Sequence, residues 1–181
     1  MIAITPGRIK VILENVVKVC SLEGDMAELG VFQGDSAKII SESCPHKKLH
    51  LYDTFTGIPE DDMFIEGHKK GDFNYDLELV KDNLKDLNVE YHVGYFPETF
   101  IKTKLCFVHV DGDLYKTTLS AIQCFYPCLV TGGIMVFDDY GWKKCPGVKL
   151  LVDQYFVDPL ITPNEFQCII KKGTTKIVCE C

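Results

Sequence analysis

The 181-residue length suits one domain, which we place over residues 1–181. The net charge of −7 argues against a nucleic-acid partner, because the phosphates would be repelled. No stretch of about 20 apolar residues predicts a transmembrane helix, and the N-terminus lacks a secretory hydrophobic region. We therefore expect no membrane partner and take a cytoplasmic location as the default.

The nine cysteines are many for this length. They include no C-x-x-C pair, and several lie inside apolar runs, where cysteine behaves as a small hydrophobic residue. We therefore expect reduced thiols, as in a cytosolic protein. Cys179 and Cys181, at the C-terminus, offer two metal ligands, too few for a site.

The first 23 residues predict an N-terminal helix. Thr5 is the expected cap, and Pro6 suits the first helical position. Residues 8–19 carry apolar side chains at helical spacing, namely Ile9, Ile12, Leu13, Val16 and Val17.

Residues 25–36 predict a short strand, a glycine turn and the start of a helix capped by Asp35 or Ser36. Gly30 and Gly34 permit positive φ and let a ligand approach the backbone. The segment is neither a phosphate-binding P-loop nor the dinucleotide motif G-x-G-x-x-G.

Glu28 stands just before the first glycine of this turn. A carboxylate there would repel a pyrophosphate and suits a ligand with a cationic end, such as the amino group of S-adenosylmethionine. The alternative interpretation is an ordinary strand-to-helix turn with no ligand.

Residues 49–53 predict a second strand, which ends in Asp53. An acid at this place in an open α/β sheet commonly binds the two ribose hydroxyls of a nucleotide. The alternative is a surface aspartate that caps the next turn. Residues 54–74 then form a long loop, which we expect to act as a mobile lid over the ligand.

Helical spacing returns over residues 75–87, and residues 89–93 alternate as a third strand. Gly94, Tyr95 and Phe96 follow that strand. This aromatic loop either flanks a purine ring or belongs to the core.

The remaining chain predicts buried strands at residues 105–110 and 133–137 and helices at 117–129 and 146–156. Residues 167–170 and 175–179 predict a final antiparallel hairpin. The expected fold is therefore α/β, a doubly wound, mostly parallel, seven-stranded Rossmann-like sheet with a C-terminal antiparallel hairpin.

Two pairs of acids follow the fourth and fifth strands: Asp111 with Asp113, and Asp138 with Asp139. They would meet at one edge of the sheet and raise each other's pKa values. A divalent cation relieves this repulsion, and carboxylate oxygens suit Mg²⁺ or Mn²⁺ better than Zn²⁺. The alternative is a set of solvated loop caps.

Two other residues near these acids are informative. His109 lies deeper on the strand before Asp111, and we expect a hydrogen-bonded core histidine rather than a metal ligand. Trp142 is a candidate aromatic wall of the site.

Seven motifs together resemble the macrocin O-methyltransferase (TylF/MycF) family over roughly residues 24–157. In this sequence they read ELGVFQGDS, YDTFTGIP, VGYFP, VDGDLYKTT, YP, GG and FDDYG. The DGDLY and DDYG pieces are specific, whereas class I methyltransferases in general share the first glycine turn.

The resemblance implies a class I S-adenosylmethionine-dependent methyltransferase that uses Mg²⁺ to methylate a hydroxyl, often of a sugar. Carried over by position, Glu28, Gly30 and Ser36 lie by the methionine part of the cofactor. Asp53 holds the ribose, and residues 94–96 lie near the adenine. The implied metal ligands are Asp111, Asp138 and Asp139.

A bound cation lowers the pKa of an alcohol and positions it in line with the sulfonium methyl group. We expect either Asp111 or Asp113 to be the catalytic residue that takes the proton. The acceptor is a small hydroxylated molecule such as a sugar, a glycan or a phenol, and a homo-oligomer is compatible with the family. Lys116 stands where the family usually has an acid, and the chain is shorter than the antibiotic-pathway members. The resemblance therefore constrains the acceptor site less than it constrains the cofactor and metal sites.

Two alternatives remain open from the sequence. One is a non-catalytic S-adenosylmethionine-binding protein that has kept the fold. The other is a nucleotide-dependent oxidoreductase, which the missing G-x-G-x-x-G motif disfavours.

Overall fold

The protein alternates strands and helices around one main sheet. A computed structural model describes residues 4–59, 68–162 and 166–178. The helices within these ranges are α1 (Pro6–Val19), α2 (Asp35–Ser43), α3 (Leu77–Asn83), α4 (Tyr115–Cys128) and α5 (Pro146–Tyr155). The strands are β1 (Asp25–Leu29), β2 (Leu49–Asp53), β3 (Val89–Val93), β4 (Leu105–Val110), β5 (Leu129–Phe137), β6 (Phe156–Val157), β7 (Leu160–Ile161), β8 (Cys168–Lys171) and β9 (Lys176–Ile177).

The main sheet has seven strands in the order β3-β2-β1-β4-β5-β8-β7. The first five in this order are parallel, and β8 and β7 add antiparallel pairings at one end. The chain order reverses between β1 and β4, so the carboxyl ends of these two strands flank the crevice where open α/β sheets bind ligands. The predicted doubly wound, mostly parallel, seven-stranded sheet is confirmed.

Helices cover both faces of the sheet because alternate residues of the buried strands point to opposite sides. Side chains of α1, α2 and α3 share one apolar core with Met26 and Phe107. Side chains of α4 and α5 share the other core with Ala27 and Val108. The parallel strands are therefore buried from both sides, as their apolar runs predict.

The N-terminal helix begins as predicted, with Thr5 as its cap and Pro6 inside its first turn. The cap of α2 differs from the prediction. Gly34 is the N-cap, with φ of 85°, and neither Asp35 nor Ser36 caps the helix with its side chain. A left-handed residue is required there, and glycine adopts that conformation without strain.

The C-terminal strands are antiparallel as predicted, but their partners differ. Strand β8 pairs with β5 and β7 in the main sheet, whereas β9 pairs with β6 in a separate two-stranded sheet. The two segments expected to pair with each other therefore contribute to different sheets. The reason is that β8 forms a longer ladder with the open edge of β5 than it could form with β9, which has two residues.

The expectation that all cysteines are reduced is wrong for one pair. Cys20 and Cys44 form a disulfide that links the ends of α1 and α2, with Cα atoms 5.9 Å apart. Helix packing brings these positions within disulfide range, which the sequence alone does not reveal. Five cysteines of the described residues are free thiols, whereas Cys179 and Cys181 lie outside those residues.

Residues 54–59 and 68–74, the described parts of the predicted lid loop, contain no helix or strand. Residues 60–67 lie outside the described part of the chain. Ile58 and Asp72 join the two arms, since the Ile58 amide donates to the Asp72 carbonyl at 2.8 Å. No helix of the described residues is long and apolar enough to span a bilayer.

Candidate active site

A cavity of about 280 Å³ opens at the carboxyl edge of the parallel strands. Its walls come from the segments that follow β1, β2, β3, β4 and β5 and from the start of α1. Most of the predicted site residues line this cavity, namely Gly30, Ser36, Asp53, Gly94, Tyr95, Phe96, Asp111, Asp113 and Asp139. Glu28 and Asp138 do not line it and are buried behind its wall.

The turn after β1 packs directly against the segment after β4. Gly30 has φ of 87°, and a Cβ atom there would lie 2.0 Å from the carbonyl oxygen of Asp111. Such a distance is far inside van der Waals contact, so only glycine fits. The close approach holds the glycine turn and the first acid pair together at the floor of the cavity.

Asp53 fastens the glycine turn to the end of β2. Its Oδ2 accepts hydrogen bonds from the amides of Val31 at 2.7 Å and Phe32 at 3.0 Å. Its Oδ1 accepts one from the amide of Phe55 at 2.8 Å. Because a carboxylate oxygen accepts two hydrogen bonds, Oδ1 retains one site for a ligand.

Aromatic rings form the wall that follows β3. Phe96 is 5% exposed, and its ring centroid lies 4.9 Å from that of Phe125 and 5.4 Å from that of Tyr52. Phe96 therefore both borders the cavity and belongs to the core, so the two interpretations of this loop are compatible. Gly94 lines the same wall with φ of 138°.

A buried chain of ionisable groups runs behind the floor of the cavity. His109 is fully buried, with Nδ1 2.8 Å from Glu28 Oε1 and Nε2 3.2 Å from Asp138 Oδ1. Burial acts to lower the pKa of His109, but Asp138 and Glu28 together hold that pKa well above its ordinary value. His109 is thus the hydrogen-bonded core histidine that the sequence predicts, and as a cation it joins two acids on neighbouring strands.

Arg8 on α1 is the site residue that sequence reasoning missed. Its Nη1 lies 3.2 Å from Asp138 Oδ2, and its Nη2 contacts Asp139 Oδ1. Trp142 lies beneath the guanidinium, with its ring centroid 5.4 Å from Arg8 Cζ, and lines the cavity. An arginine at the start of a surface helix carries no local signal of such a role, because the acids it meets are about 130 residues away.

Repulsion between the acids remains in spite of Arg8 and His109. Burial, with the charges of Asp138 and Asp139, raises the pKa of Asp111 well above its ordinary value. Burial and Asp111 likewise raise the pKa of Asp113. Asp138 has a lowered pKa, because His109 and Arg8 outweigh the effect of its burial.

Asp111, Asp113, Asp138 and Asp139 together form what we call the acid cluster. Their carboxylate oxygens suit a hard divalent cation. Asp111 and Asp138 each bring a carboxylate oxygen into one compact group with His109, and Asp113 and Asp139 into a second with Cys145. Arg8 and His109 pair with acids of this cluster, which holds four carboxyl groups in all. The oxygens fit Mg²⁺ or Mn²⁺, although Arg8 already binds two of the oxygens.

The sequence matches a known family. The sequence profile of the Macrocin-O-methyltransferase (TylF) family matches residues 7–163, which is most of the chain. The chain belongs to this family. The match begins inside α1, so the helix that carries Arg8 lies within the family region.

Characterised relatives are similar over part of their length. A demethyldecarbamoylnovobiocin O-methyltransferase of Streptomyces niveus is 28% identical over 169 residues, covering 78% of this chain and 63% of the relative. A tetracenomycin 4′-O-methyltransferase of Streptomyces olivaceus, named for a dimethoxy-rhamnosyl substrate, is 29% identical over 144 residues. That alignment covers 67% of this chain and 55% of the relative, so the chain spans little more than half the length of such relatives.

Solved structures share the fold. The O-methyltransferase NovP superposes with a TM-score of 0.76 at 26% identity, over 92% of this chain and 79% of NovP. The calicheamicin methyltransferase CalS11 superposes with a TM-score of 0.73 at 19% identity, over 92% of this chain and 79% of CalS11. Both likenesses support the class I methyltransferase fold.

Proposed function

We propose that the chain binds S-adenosylmethionine in the cavity and transfers its methyl group to a hydroxyl of a sugar or another small hydroxylated acceptor. One observation carries this proposal. The glycine turn, the Asp53 carboxylate and the acid cluster, which are far apart in the sequence, border the same cavity. That cavity lies at the sheet edge where open α/β folds bind ligands.

The chain offers a separate wall for each part of the cofactor. Gly30 and Ser36 would receive the methionine end. Glu28, buried behind this wall, would act on that end through its charge, and its Oε2 has no hydrogen-bond partner in the described residues. The free acceptor site on Asp53 Oδ1 would take a ribose hydroxyl. Gly94, Tyr95 and Phe96 would border the adenine, where an aromatic edge suits a flat purine ring.

Asp111, Asp138 and Asp139 would hold a divalent cation, which when bound lowers the pKa of the acceptor hydroxyl. His109 keeps Asp138 ionised and fixes its orientation from behind. Trp142 and the described arms of the 54–74 loop would enclose the acceptor and exclude water, since Gly57, Ile58, Pro59 and Phe73 also line the cavity.

The proton balance assigns a role to the first acid pair. As the new oxygen–carbon bond forms, the sulfur–methyl bond breaks and the sulfonium becomes a neutral thioether. The acceptor hydroxyl loses its proton to Asp111 or Asp113, since both carboxyl groups line the cavity. Asp113 is not among the proposed metal ligands and is our candidate when Asp111 binds the cation.

The acceptor class rests on the relatives. The olivaceus relative is named for methylation of a rhamnosyl compound, and the TylF family takes its description from O-methylation of macrocin. Because the chain covers about half of that relative, its own acceptor is tested with a panel of hydroxylated compounds.

Calorimetry and a turnover assay test the proposal together. We expect S-adenosylmethionine and Mn²⁺ each to bind once, and release of S-adenosylhomocysteine with at least one member of a panel of nucleotide sugars, glycosides and phenols. Failure of S-adenosylmethionine to bind would overturn the proposal.

One observation favours a second candidate, an S-adenosylmethionine-binding protein without cation chemistry. Arg8 already neutralises part of the charge on Asp138 and Asp139. Cofactor binding with neither Mn²⁺ binding nor turnover would support that candidate instead.

A further inference from the structure

The ends of α1 and α2 bring together three side chains that bind soft metal ions. Cys20 is the C-cap of α1 and Cys44 is the C-cap of α2, and their sulfurs form the disulfide. His46 follows two residues later, with Nε2 4.0 Å from Cys20 Sγ and 3.9 Å from Cys44 Sγ. None of these three residues lines the cavity described above.

We propose that reduced Cys20 and Cys44, together with His46, form a binding site for a thiophilic divalent cation such as Zn²⁺, and that the disulfide closes this site.

The distances suit a tetrahedral ion. Zinc binds thiolate sulfur at about 2.3 Å and imidazole nitrogen at about 2.0–2.1 Å, which places sulfur and nitrogen ligands ~3.6 Å apart. The two observed sulfur-to-nitrogen distances, 4.0 and 3.9 Å, exceed that value by a few tenths of an ångström. After reduction, the two sulfur atoms would also have to move apart to ~3.8 Å, which is their separation in the same tetrahedral geometry.

The site is held together independently of the disulfide. Lys47 is 8% exposed, and its Nζ donates to the carbonyl oxygens of Leu22 at 2.6 Å and Gly24 at 2.7 Å. These bonds tie the segment after α2 to the segment after α1. Pro45 restricts the backbone between Cys44 and His46, so the spacing of two ligands is fixed in advance. Reduction would therefore leave the thiols near each other and near the imidazole.

The site is also accessible and has room for a further ligand. His46 is exposed and Cys20 is half-buried, whereas Cys44 is fully buried. An ion would enter from the side of His46 and keep its fourth position for water or another donor, as in three-ligand zinc sites. Nε2 also lies 3.3 Å from the Cys20 carbonyl, an interaction that the ion would replace.

The chemistry balances with an external thiol or phosphine reductant. Reduction takes two electrons and two protons to give two thiols, and the reductant is oxidised in exchange. Each thiol then loses its proton to solvent as it binds the cation, so uptake of one Zn²⁺ releases two protons.

The test uses the full chain with Cys179 and Cys181 both changed to Ser, which removes the terminal thiols. Saturating Mg²⁺ is added to compete for the acid cluster, and Co²⁺ then serves as a spectroscopic substitute for Zn²⁺. After phosphine reduction without oxygen, we expect one Co²⁺ per chain with a sulfur-to-cobalt charge-transfer absorption that Zn²⁺ abolishes. The oxidised chain should show neither.

Variants separate this site from the other thiols. Cys20→Ser should remove the absorption, and His46→Gln should weaken Zn²⁺ binding by at least about tenfold, because even a lost second-shell partner costs roughly 10–100-fold. The matched control changes Cys124 and Cys128, two half-buried thiols on α4, to Ser and should bind as the parent does.

Because His46 is exposed, we expect His46→Gln to fold, and this variant provides the test if a cysteine variant fails to fold. Equal binding by the oxidised chain, or unchanged affinity in His46→Gln, would overturn the proposal. These results are independent of S-adenosylmethionine binding.

Discussion

Arg8 Nη1 lies 3.2 Å from Asp138 Oδ2 and thereby ties helix α1 to the end of β5. The same guanidinium contacts Asp139, and its side chain is 13% exposed. The Arg8 guanidinium therefore binds the same carboxylate oxygens that we assign to a divalent metal. Arginine and metal would compete for these oxygens.

Arg8→Gln should strengthen Mn²⁺ binding while it weakens the attachment of α1. We expect about a tenfold increase in affinity, corresponding to roughly 1.4 kcal/mol, because the metal no longer displaces a charged partner. Calorimetry with Mn²⁺ measures the first effect, and thermal unfolding of the metal-free chain measures the second.

Lys10→Gln is the matched control for that change. Lys10 lies on the same helix, and its ion pair within the described part of the chain is an exposed one with Glu14, at 3.8 Å. Its loss should leave both measurements unchanged. Weaker Mn²⁺ binding in Arg8→Gln would instead mean that Arg8 supports the cation site.

Asp138→Ala and Asp53→Ala should affect different ligands. The first removes a proposed metal ligand and should abolish Mn²⁺ binding and turnover while cofactor affinity stays nearly intact. The second removes the proposed ribose acceptor and should weaken the cofactor by tenfold or more, about 1.4 kcal/mol or above, for one charge-assisted hydrogen bond.

Titration of both ligands into both variants provides the check. Equal loss of metal and cofactor in either variant would contradict this division of roles. Circular dichroism is needed for Asp53→Ala, since Asp53 also accepts hydrogen bonds from the Val31 and Phe32 amides.

Gly30→Ala should destabilise the protein more than Gly71→Ala does. The two glycines have nearly equal φ, 87° and 89°, so both variants bear a backbone cost of about 1–2 kcal/mol. A Cβ at position 71 meets no described atom within 4 Å, whereas one at position 30 would lie 2.0 Å from a carbonyl oxygen.

The difference in unfolding free energy between these two variants measures the cost of the close contact at position 30. Overpacking of this kind should lower the unfolding free energy of Gly30→Ala by a further amount of roughly 1–3 kcal/mol, as measured by urea denaturation. Cofactor affinity should fall in that variant alone. Equal stabilities would show that the segment after β4 moves away at little cost.

Asp111→Asn should stabilise the metal-free chain near neutral pH. The pKa of Asp111 is raised by burial and by Asp138 and Asp139, so the folded state binds its proton more tightly than the unfolded state. The associated stability is present below the ordinary aspartate pKa and is lost as pH rises through the raised value. Removal of the charge should recover roughly 1–3 kcal/mol at neutral pH and little near pH 3.

Urea denaturation at both pH values measures this effect. In the unsubstituted chain, Mn²⁺ affinity should rise with pH, because the cation needs the ionised carboxylates. Asp82→Asn, at an exposed position on α3, is a control for the substitution itself. A stability difference for Asp111→Asn that does not vary with pH would contradict the assignment.

Local patterns in the sequence were sufficient to predict the parallel sheet, the glycine turn and the acids at the strand ends. Strand burial, helical periodicity and glycine before a helix are properties of neighbouring residues, and parallel strands bring their carboxyl ends to one edge. For this reason Gly30, Asp53 and Asp111 were expected near one another, and they line one cavity.

Only the tertiary structure revealed Arg8 as the partner of Asp138, Cys20 as the partner of Cys44, and the separate pairings of β8 and β9. Each depends on how whole elements pack, and residues distant in the sequence give no local sign that they will meet. The sequence thus determined which chemical groups gather at the sheet edge, whereas packing of α1 decided which cation of the chain neutralises them.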